Sequence, residues 1–316
     1  MSFVHLHCHS EYSLLDGANR IESLIARALE FEQPALAITD HGNMHAAWEF
    51  QEKARKAKLR PILGMEAYVA TGDRRLKARP APGMKPYYHL VLLAQNAIGY
   101  RNLVKLSSLA YAEGFYVKPR VDRELLAKHA EGIVVTSACL AGEVAQHLMA
   151  NEYEKAKEAA AWYAELFKGR YYLEVQAHDS EGQAKLNEQI FRLADDVGLP
   201  VVATNDAHFL RRDDHDSHDV LLCIGLGKDR NDADRMHYDQ GLYFKSAPEI
   251  AARFRDRPDV LENTLKIADE VNVEFGKKYH DPPFPSRRTS RPRTSCSSGS
   301  PRRAPNSATA LRFRRR

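Results

Sequence analysis

Residues 3–17 read FVHLHCHSEYSLLDG. Histidines occupy every second position from residue 5 to residue 9. Because successive side chains on a β-strand point to opposite faces, this spacing predicts a strand with His5, His7 and His9 on one face. Neutral imidazole is a good ligand for Zn, Mn and Fe, so such a row of histidines indicates a metal site. The alternative is a surface strand with incidental histidines, and the rest of the chain decides between the two.

Composition places few restrictions on the class of protein. The 316 residues suffice for one large domain or two small ones, and the hydrophobic content of 44% is typical of soluble globular proteins. No apolar run is long enough to span a bilayer, and no signal peptide is predicted. Four cysteines in a chain of this length do not indicate a disulfide framework. We therefore expect a cytoplasmic protein with no membrane attachment.

The net charge of +4 is distributed unevenly. Residues 282–316 contain ten arginines, no lysine and no acidic residue, whereas residues 1–281 hold 36 basic and 42 acidic side chains. The body therefore offers no global basic footprint for nucleic acid. The abrupt change to Pro, Ser, Thr and Arg indicates either a disordered basic tail or out-of-frame translation of a GC-rich gene. We favour the second interpretation and assign residues 286–316 no function.

Seven short β-rich runs alternate with helical patterns up to residue 205. This alternation predicts a parallel sheet, and seven units in this length favour a closed or nearly closed barrel. No glycine-rich phosphate loop follows the first run, although an open doubly wound sheet remains possible. Predicted strands are 3–9, 35–39, 61–69, 88–94, 132–137, 171–176 and 200–205; predicted helices are 21–31, 46–58, 100–113, 125–129, 141–167, 183–197, 216–225, 248–255 and 258–271. Residues 227–243 form a polar linker, predicted to be an ordered loop.

Metal-binding residue types are concentrated at the ends of these runs. In a parallel barrel the carboxyl ends of the strands meet at one face, where active sites are built. The positions of Glu66 and His89 stay open, because they lie inside or at the start of their runs. Since one catalytic zinc takes about three protein ligands, eight or nine ligands predict two or three ions, an arrangement suited to phosphoester hydrolysis. The candidates are His7, His9, Asp16, Asp40, His41, Glu66, His89, Cys139, Asp206 and His208.

Other residues with reactive or metal-binding side chains are expected to lie outside the ligand set. Glu174 and His178 are expected to support the ligands rather than bind metal, and His5 lies deeper in its strand. A nucleophilic mechanism through Ser137 or Cys139 is disfavoured, because no nucleophile-elbow glycine pattern surrounds them. The remaining histidines are interpreted as surface or core residues.

These residues resemble the four motifs of the PHP (polymerase and histidinol phosphatase) domain family. The motifs are His7-x-His9, Thr39-Asp40-His41-Gly42, Gly64-x-Glu66 and Asn205-Asp206-x-His208. More narrowly, the chain resembles the amino-terminal PHP domain of bacterial DNA polymerase III alpha subunits, through residues 14–17, 99–122 and 199–206. The resemblance covers residues 1–285 and implies an α/β fold: a distorted (β/α)7 TIM-like barrel with a trinuclear metal cleft, followed by a short helical segment and the tail.

The resemblance also implies an activity and a set of ligands. Members with a full ligand set are associated with metal-dependent 3′–5′ exonuclease activity, and degenerate members serve as scaffolds that bind partners. The implied partners are a DNA 3′ end and other subunits of the replicative polymerase, and the implied cofactors are two or three Zn, Mn or Fe ions. The implied metal ligands are His7, His9, Asp16, His41, Glu66, His89, Cys139, Asp206 and His208, with Asp40 as a supporting carboxylate rather than a ligand. The predicted catalytic residues are Asp40, His41, Asp206 and His208.

Three other activities were compared with this one. The parent family is a DNA-directed DNA polymerase, but the chain shows no palm carboxylates after Phe284-Pro285, so we expect no polymerisation. A free-standing small-molecule phosphatase of the same fold is possible, although residues 99–122 argue against it. A carbamylated-lysine amidohydrolase would need a lysine where this chain has Ala94-Gln95, and it is set aside.

Overall fold

The computed structural model describes residues 2–78 and 85–275. The predicted tail and the domain boundary at residue 285 lie outside these ranges. The strands are β1 (Ala35–Ile38), β2 (Arg60–Ala70), β3 (Tyr87–Ala94), β4 (Arg120–Val121), β5 (Ile133–Thr136), β6 (Tyr171–Gln176) and β7 (Val201–Thr204). The helices are α1 (Ile21–Glu30), α2 (Ala47–Lys56), α3 (Ala97–Ala112), α4 (Arg123–Lys128), α5 (Glu143–Met149), α6 (Tyr153–Leu166), α7 (Glu181–Val197), α8 (His215–Leu226), α9 (Ala247–Arg253) and α10 (Asp259–Glu270).

The sheet curls into a barrel with the strand order β1-β2-β3-β5-β6-β7, and the two-residue β4 pairs with β2. Residues 3–9 lie between β7 and β1 and connect them. On one side the Ala37 amide donates to the His5 carbonyl, and on the other the His9 amide donates to the Ala207 carbonyl, each at 2.9 Å. The predicted α/β barrel of the PHP type is confirmed.

Strand β3 runs against its neighbours. It pairs antiparallel with both β2 and β5, whereas β1–β2, β5–β6 and β6–β7 are parallel. The expectation that every strand is parallel is therefore wrong for β3. The reason is that β2 and β3 are joined by residues 71–86 without a described crossover helix, and parallel neighbours require such a crossover.

The first predicted strand is also irregular. Within residues 3–9 the structure has only one isolated bridge, between Cys8 and Ala207, and a bend at His7. Val4 and Leu6 belong to the apolar cluster inside the barrel, whereas Phe3 and Cys8 belong to the cluster between the sheet and the helices. The bend shifts by one residue the alternation of side chains between the inside and the outside of the barrel. His5 therefore lies on the opposite face from His7 and His9, and the prediction that all three share a face is wrong. The ring of His5 instead packs on Phe244, with centroids 3.9 Å apart.

The helices surround the barrel and close one end of it. Ile267, Ala268 and Val271, from α10 and the residue after it, pack with the inner apolar cluster. The Asn272 amide donates to the Gln95 carbonyl at 2.9 Å, which ties this end to the carboxyl end of β3. The helix predicted over residues 141–167 is interrupted between α5 and α6, where Asn151 has a positive φ of 58°. Among the described helices, none combines the length and the apolar character needed to cross a membrane.

Candidate metal centre

The predicted site residues meet at the end of the barrel opposite α10. His41 follows β1, Cys139 follows β5, and Asp206 and His208 follow β7, so all four lie at carboxyl ends of parallel strands. Because β3 is antiparallel to its neighbours, its first residues lie at the same end as the carboxyl ends of the other strands. His89, near the start of β3, is therefore at the site. Glu66 reaches the site because β2 extends past β1, with His41 bridged to Glu66. The open question about these two residues is thus answered by the direction and length of two strands.

His7 and His9 face the carboxylate of Asp206. The distances from Asp206 Oδ1 are 3.2 Å to His7 Nε2 and 3.0 Å to His9 Nε2. Asp206 has a positive φ of 49°, a region that few non-glycine residues adopt. Strained backbone of this kind is concentrated at functional sites, where the surrounding structure maintains it.

Glu66 is the centre of the cluster. One carboxylate oxygen lies 3.3 Å from His7 Nε2 and 2.9 Å from His89 Nδ1, and the other lies 3.3 Å from His9 Nε2 and 2.8 Å from His41 Nδ1. Glu66 is 1% exposed. A single buried carboxylate that contacts four imidazoles is arranged as a bridging ligand would be.

Asp16 and His208 form the outer side of the cluster. Asp16 Oδ2 lies 3.2 Å from His41 Nε2 and 4.0 Å from His208 Nε2. The Tyr238 hydroxyl donates to the same oxygen at 2.9 Å. On the opposite side, Cys139 Sγ lies 3.7 Å from His89 Nδ1. All nine predicted ligands are therefore brought together.

Three overlapping groups have the geometry for a cation. In each group one donor atom per residue lies within 4.8 Å of the others. The groups share His9, His41 and Glu66 between them, as expected for neighbouring ions that share ligands. The groups are His7–His9–Glu66, His41–Glu66–His89 and His9–His41–His208.

Buried polar atoms without hydrogen bonds support this interpretation. A buried polar group normally has a partner, because burying it unpaired costs about 1–3 kcal/mol. Within the described residues, seven such atoms belong to this cluster, and two or three divalent cations would satisfy them. They are His7 Nε2, His9 Nε2, Asp16 Oδ1, His41 Nδ1, Glu66 Oε2, Asp206 Oδ1 and His208 Nε2.

Two carboxylates behind the cluster orient its histidines. Glu174 inside the barrel accepts from His7 Nδ1 at 2.7 Å, which leaves His7 Nε2 without a proton in the neutral ring. Asp40 acts on His9 through Ser13. The Ser13 hydroxyl donates to Asp40 Oδ1 at 2.8 Å, so its oxygen must accept from His9 Nδ1 at 2.9 Å. Both histidines therefore present an Nε2 lone pair, as metal-binding histidines with a carboxylate behind them do.

The pKa values follow from this concentration of opposite charges. Burial alone would lower the pKa of His7, but Asp206, Glu174 and Glu66 outweigh it and raise the pKa well above its usual value. Burial likewise opposes the shift at Asp16, yet His41 and His208 hold the pKa of that carboxyl far below its usual range. The carboxylates thus require compensating cations, which are protons on histidine when no metal is bound.

Some residues lie elsewhere or were not foreseen. His178 Nε2 donates to the Asn205 carbonyl at 2.9 Å and is not part of the cluster. Asp40 lies two hydrogen bonds from His9, through the Ser13 hydroxyl, and is not in the cluster. Sequence reasoning missed Ser13 and Tyr238. Ser13 lies in the stretch between the first histidines and Asp16 and could have been suspected; Tyr238 comes from the polar linker, and no pattern around it indicates a role.

Comparison with known proteins agrees with the fold. The profile of the PHP domain matches residues 5–178. The chain is 40% identical over 284 residues to the DNA polymerase III subunit alpha of Borreliella burgdorferi, covering 90% of this chain and 25% of that protein. For the same subunit of Treponema pallidum the identity is 44% over 277 residues, covering 87% and 24%. The chain thus spans about a quarter of the length of these curated relatives.

Structural similarity to solved proteins is lower. A two-domain protein from Bacteroides vulgatus that contains a predicted PHP-like metal-dependent phosphoesterase aligns with a TM-score of 0.39 at 15% identity. The alignment covers 66% of this chain and 52% of that one. The profile match, by contrast, runs from the first histidines past Cys139 and takes in more than half of the chain. On that match, the chain belongs to the PHP domain family.

Proposed function

We propose that this domain is a metal-dependent phosphoesterase with two or three divalent ions bound by the nine clustered residues. The observation that carries the proposal is the set of buried, unpaired donor atoms that face one another across the cluster. The mixture of imidazole, carboxylate and thiol donors suits Zn, Mn or Fe. Bound there, such ions would neutralise charge on phosphate oxygens and lower the pKa of water.

The residues of the chain itself have defined tasks in this proposal. Glu66 and Asp206 would each serve more than one histidine: Glu66 contacts His41 and His89 as well as the segment 3–9, and Asp206 contacts both His7 and His9. Glu174 and the Ser13–Asp40 pair hold protons on the far nitrogens of His7 and His9. Tyr238 keeps Asp16 in place through its hydroxyl. Together they maintain a dry, pre-organised donor set.

We further propose that the substrate is the 3′ end of DNA, hydrolysed in the 3′–5′ direction. This step is supported by the similarity to DNA polymerase III alpha subunits over nearly the whole chain, which also suggests replicative polymerase subunits as partners. The acidic balance of residues 1–281 fits a site that engages a strand end better than one that covers a long stretch of duplex.

The test is elemental analysis of purified protein, followed by nuclease assays in Zn, Mn and Fe. We expect two or three ions per chain and release of nucleotides from the 3′ end of labelled DNA. His9→Ala should lose ions and activity together, and Asp195→Asn, an exposed change on α7, should lose neither. Fully loaded protein without activity on DNA or on a small phosphomonoester would contradict the enzymatic proposal.

A second function, that of a metal-braced scaffold, is favoured by one observation. The ligands come from the segment 3–9, from β2 and β3, and from the chain after β1, β5 and β7. Bound ions would therefore link most of the strands of the barrel to one another. In that case His9→Ala would lower the unfolding temperature with no activity to lose. Turnover of a small phosphomonoester, with no action on DNA, would instead support a small-molecule phosphatase.

A further inference from the structure

The segment from Gly114 to Asp122 is the most distinctive sequence motif that the metal cluster leaves unexplained. It contains a tight turn at residues 116–118, in which the Tyr116 amide donates to the Lys118 carbonyl at 3.1 Å. Val117, at its tip, has a positive φ of 64°. This is strained for a β-branched residue, and Val117 is also 74% exposed. Burial of its side chain therefore does not explain the conformation.

Hydrogen bonds from two arginines hold the ends of this turn in place. Arg120 donates from Nε to the Gly114 carbonyl at 3.1 Å and from Nη2 to the Arg74 carbonyl at 2.9 Å. Arg74 in turn donates to both oxygens of Asp122 at 3.0 Å. No other residue fits at position 114 without moving the backbone, because a Cβ on Gly114 would lie 1.9 Å from the Arg120 carbonyl oxygen. A turn fixed this firmly can maintain strain at its tip.

The same turn packs against the metal cluster. Gly42 directly follows His41, and a Cβ on it would lie 2.8 Å from Pro119 and 3.0 Å from Tyr68. The Tyr68 ring lies over the His41 ring at 5.8 Å between centroids. Pro119, the residue after the turn, therefore packs closely on Gly42, and Tyr68 packs on both Gly42 and His41.

The residue of interest in this turn is Lys118. Its ammonium lies 5.4 Å from the centre of the Tyr68 ring, and the side chain is partly buried. Burial lowers the pKa of Lys118, and the Asp16 carboxylate acts in the opposite direction. The Tyr68 ring beside the ammonium also stacks on the His41 ring, so Lys118 and the cluster share this aromatic neighbour. Across residues 2–78 and 85–275 no hydrogen bond or salt bridge pairs this ammonium with an anion.

We propose that Lys118 binds a non-bridging oxygen of the substrate phosphate beside the metal cluster. The inference rests on the proposed phosphoesterase function and names the residue that recognises its anion. A partly desolvated ammonium attracts a phosphate more strongly than one in bulk water does. The strained Val117 and the Arg120 anchor then have a purpose, because they present Lys118 to the cluster instead of letting it extend into solvent.

The experiment is calorimetric titration of inorganic phosphate into the full, metal-loaded chain. Lys118→Met, which keeps the length of the side chain and removes its charge, should weaken phosphate binding by about ten-fold. Lys118→Arg should retain most of the affinity, because it keeps the charge. Lys185→Met, at an exposed lysine on α7, serves as the matched control and should leave the affinity unchanged. Metal content is measured for every variant.

The outcomes separate this inference from the proposed function. Equal phosphate affinity in wild type and Lys118→Met, or no phosphate binding by the loaded wild type, overturns the inference. Loss of metal in Lys118→Met also overturns it, because the residue would then support the ions and not the anion. If phosphate binds through Lys118 but no phosphoester is hydrolysed, the inference stands and the proposed activity fails. Where hydrolysis occurs, Lys118→Met should raise KM more than it lowers kcat.

Discussion

The hydroxyl of Ser13 fixes which nitrogen of His9 carries a proton. It has one hydrogen, and Asp40 Oδ1 accepts it at 2.8 Å. Its oxygen therefore accepts from His9 Nδ1, and in the neutral ring Nε2 is left with a lone pair that faces Glu66 and Asp206. A carboxylate that never touches the cluster thus controls a donor atom within it.

Asp40→Asn should weaken metal binding by roughly 10- to 100-fold, the usual cost of removing a group that orients a metal-binding histidine. The amide can donate to Ser13, which frees the hydroxyl to donate to His9 and favours the wrong tautomer. Metal affinity is measured by competition with a chromogenic chelator, with Asp195→Asn as the control. Ser13→Ala should cause a similar loss; unchanged affinity in both variants would refute the relay.

At the scale of single elements, much of the fold is predictable from the sequence. Alternating β-rich and helical patterns identify six of the seven sheet strands, and the residues after β1, β5 and β7 fall where a parallel barrel requires. The direction of β3 is not predictable in this way, because local apolar patterns are the same for parallel and antiparallel strands. The short β4 was missed because two residues show no period at all.

The face of His5 is unpredictable for a related reason. A bend at His7 changes the alternation by one residue, and the bend is set by contacts with β1 and β7, which are remote in sequence. His5 is 0% exposed and its Nε2 donates to the Lys245 carbonyl at 2.8 Å. Burial lowers the pKa of His5 to about 4, so its ring is neutral near neutral pH.

His5→Ala and His9→Ala form a matched pair that tests this difference in face. His5→Ala should lower the free energy of unfolding by about 2–4 kcal/mol, as for other large buried side chains, with the number of bound metal ions unchanged. His9→Ala should reduce the number of bound ions. Chemical denaturation of metal-free protein and elemental analysis provide the two measurements. A lower metal content in His5→Ala would show that His5 supports the cluster after all.

The segment 3–9 should also respond to metal more than other parts of the barrel. Its side chains are buried in the two apolar clusters, but its backbone is held by a few hydrogen bonds to β1 and to Ala207 and not by a continuous strand ladder. We therefore expect its amides to open more readily in the metal-free protein than those of the paired strands. Because it carries two ligands, metal should suppress that opening. Hydrogen exchange of residues 3–9 is expected to slow on loading, with α7 as the internal reference. Equal slowing in both regions would indicate global stabilisation only.

For the whole molecule, the cluster links stability to pH. In the metal-free protein the carboxylates raise the pKa of His7 and His41 against the effect of burial. A raised pKa adds stability that is fully present below the unfolded value of about 6.5 and is lost as the pH rises through the folded value. Metal requires neutral imidazoles, so its binding strengthens over the same range.

The difference in Tm between loaded and metal-free protein should therefore widen from about pH 6 to about pH 9. Thermal unfolding with and without a chelator, at constant ionic strength, measures this difference. His9→Ala, which should bind fewer ions, is expected to show a smaller widening. A difference that stays constant with pH would mean that the histidines are not protonated in the metal-free state.

Because β3 runs antiparallel to its neighbours, the two ends of the barrel differ in how readily their connections accept inserted residues. At the end plugged by α10, β3 is joined to α3 by Gln95 and Asn96 alone, which leaves no room for insertions. At the other end, residues 71–86 separate β2 from β3. Since long surface connections accept new sequence at little thermodynamic cost, this hairpin gives the fold a place to acquire new substrate preferences while its strand pairing stays intact.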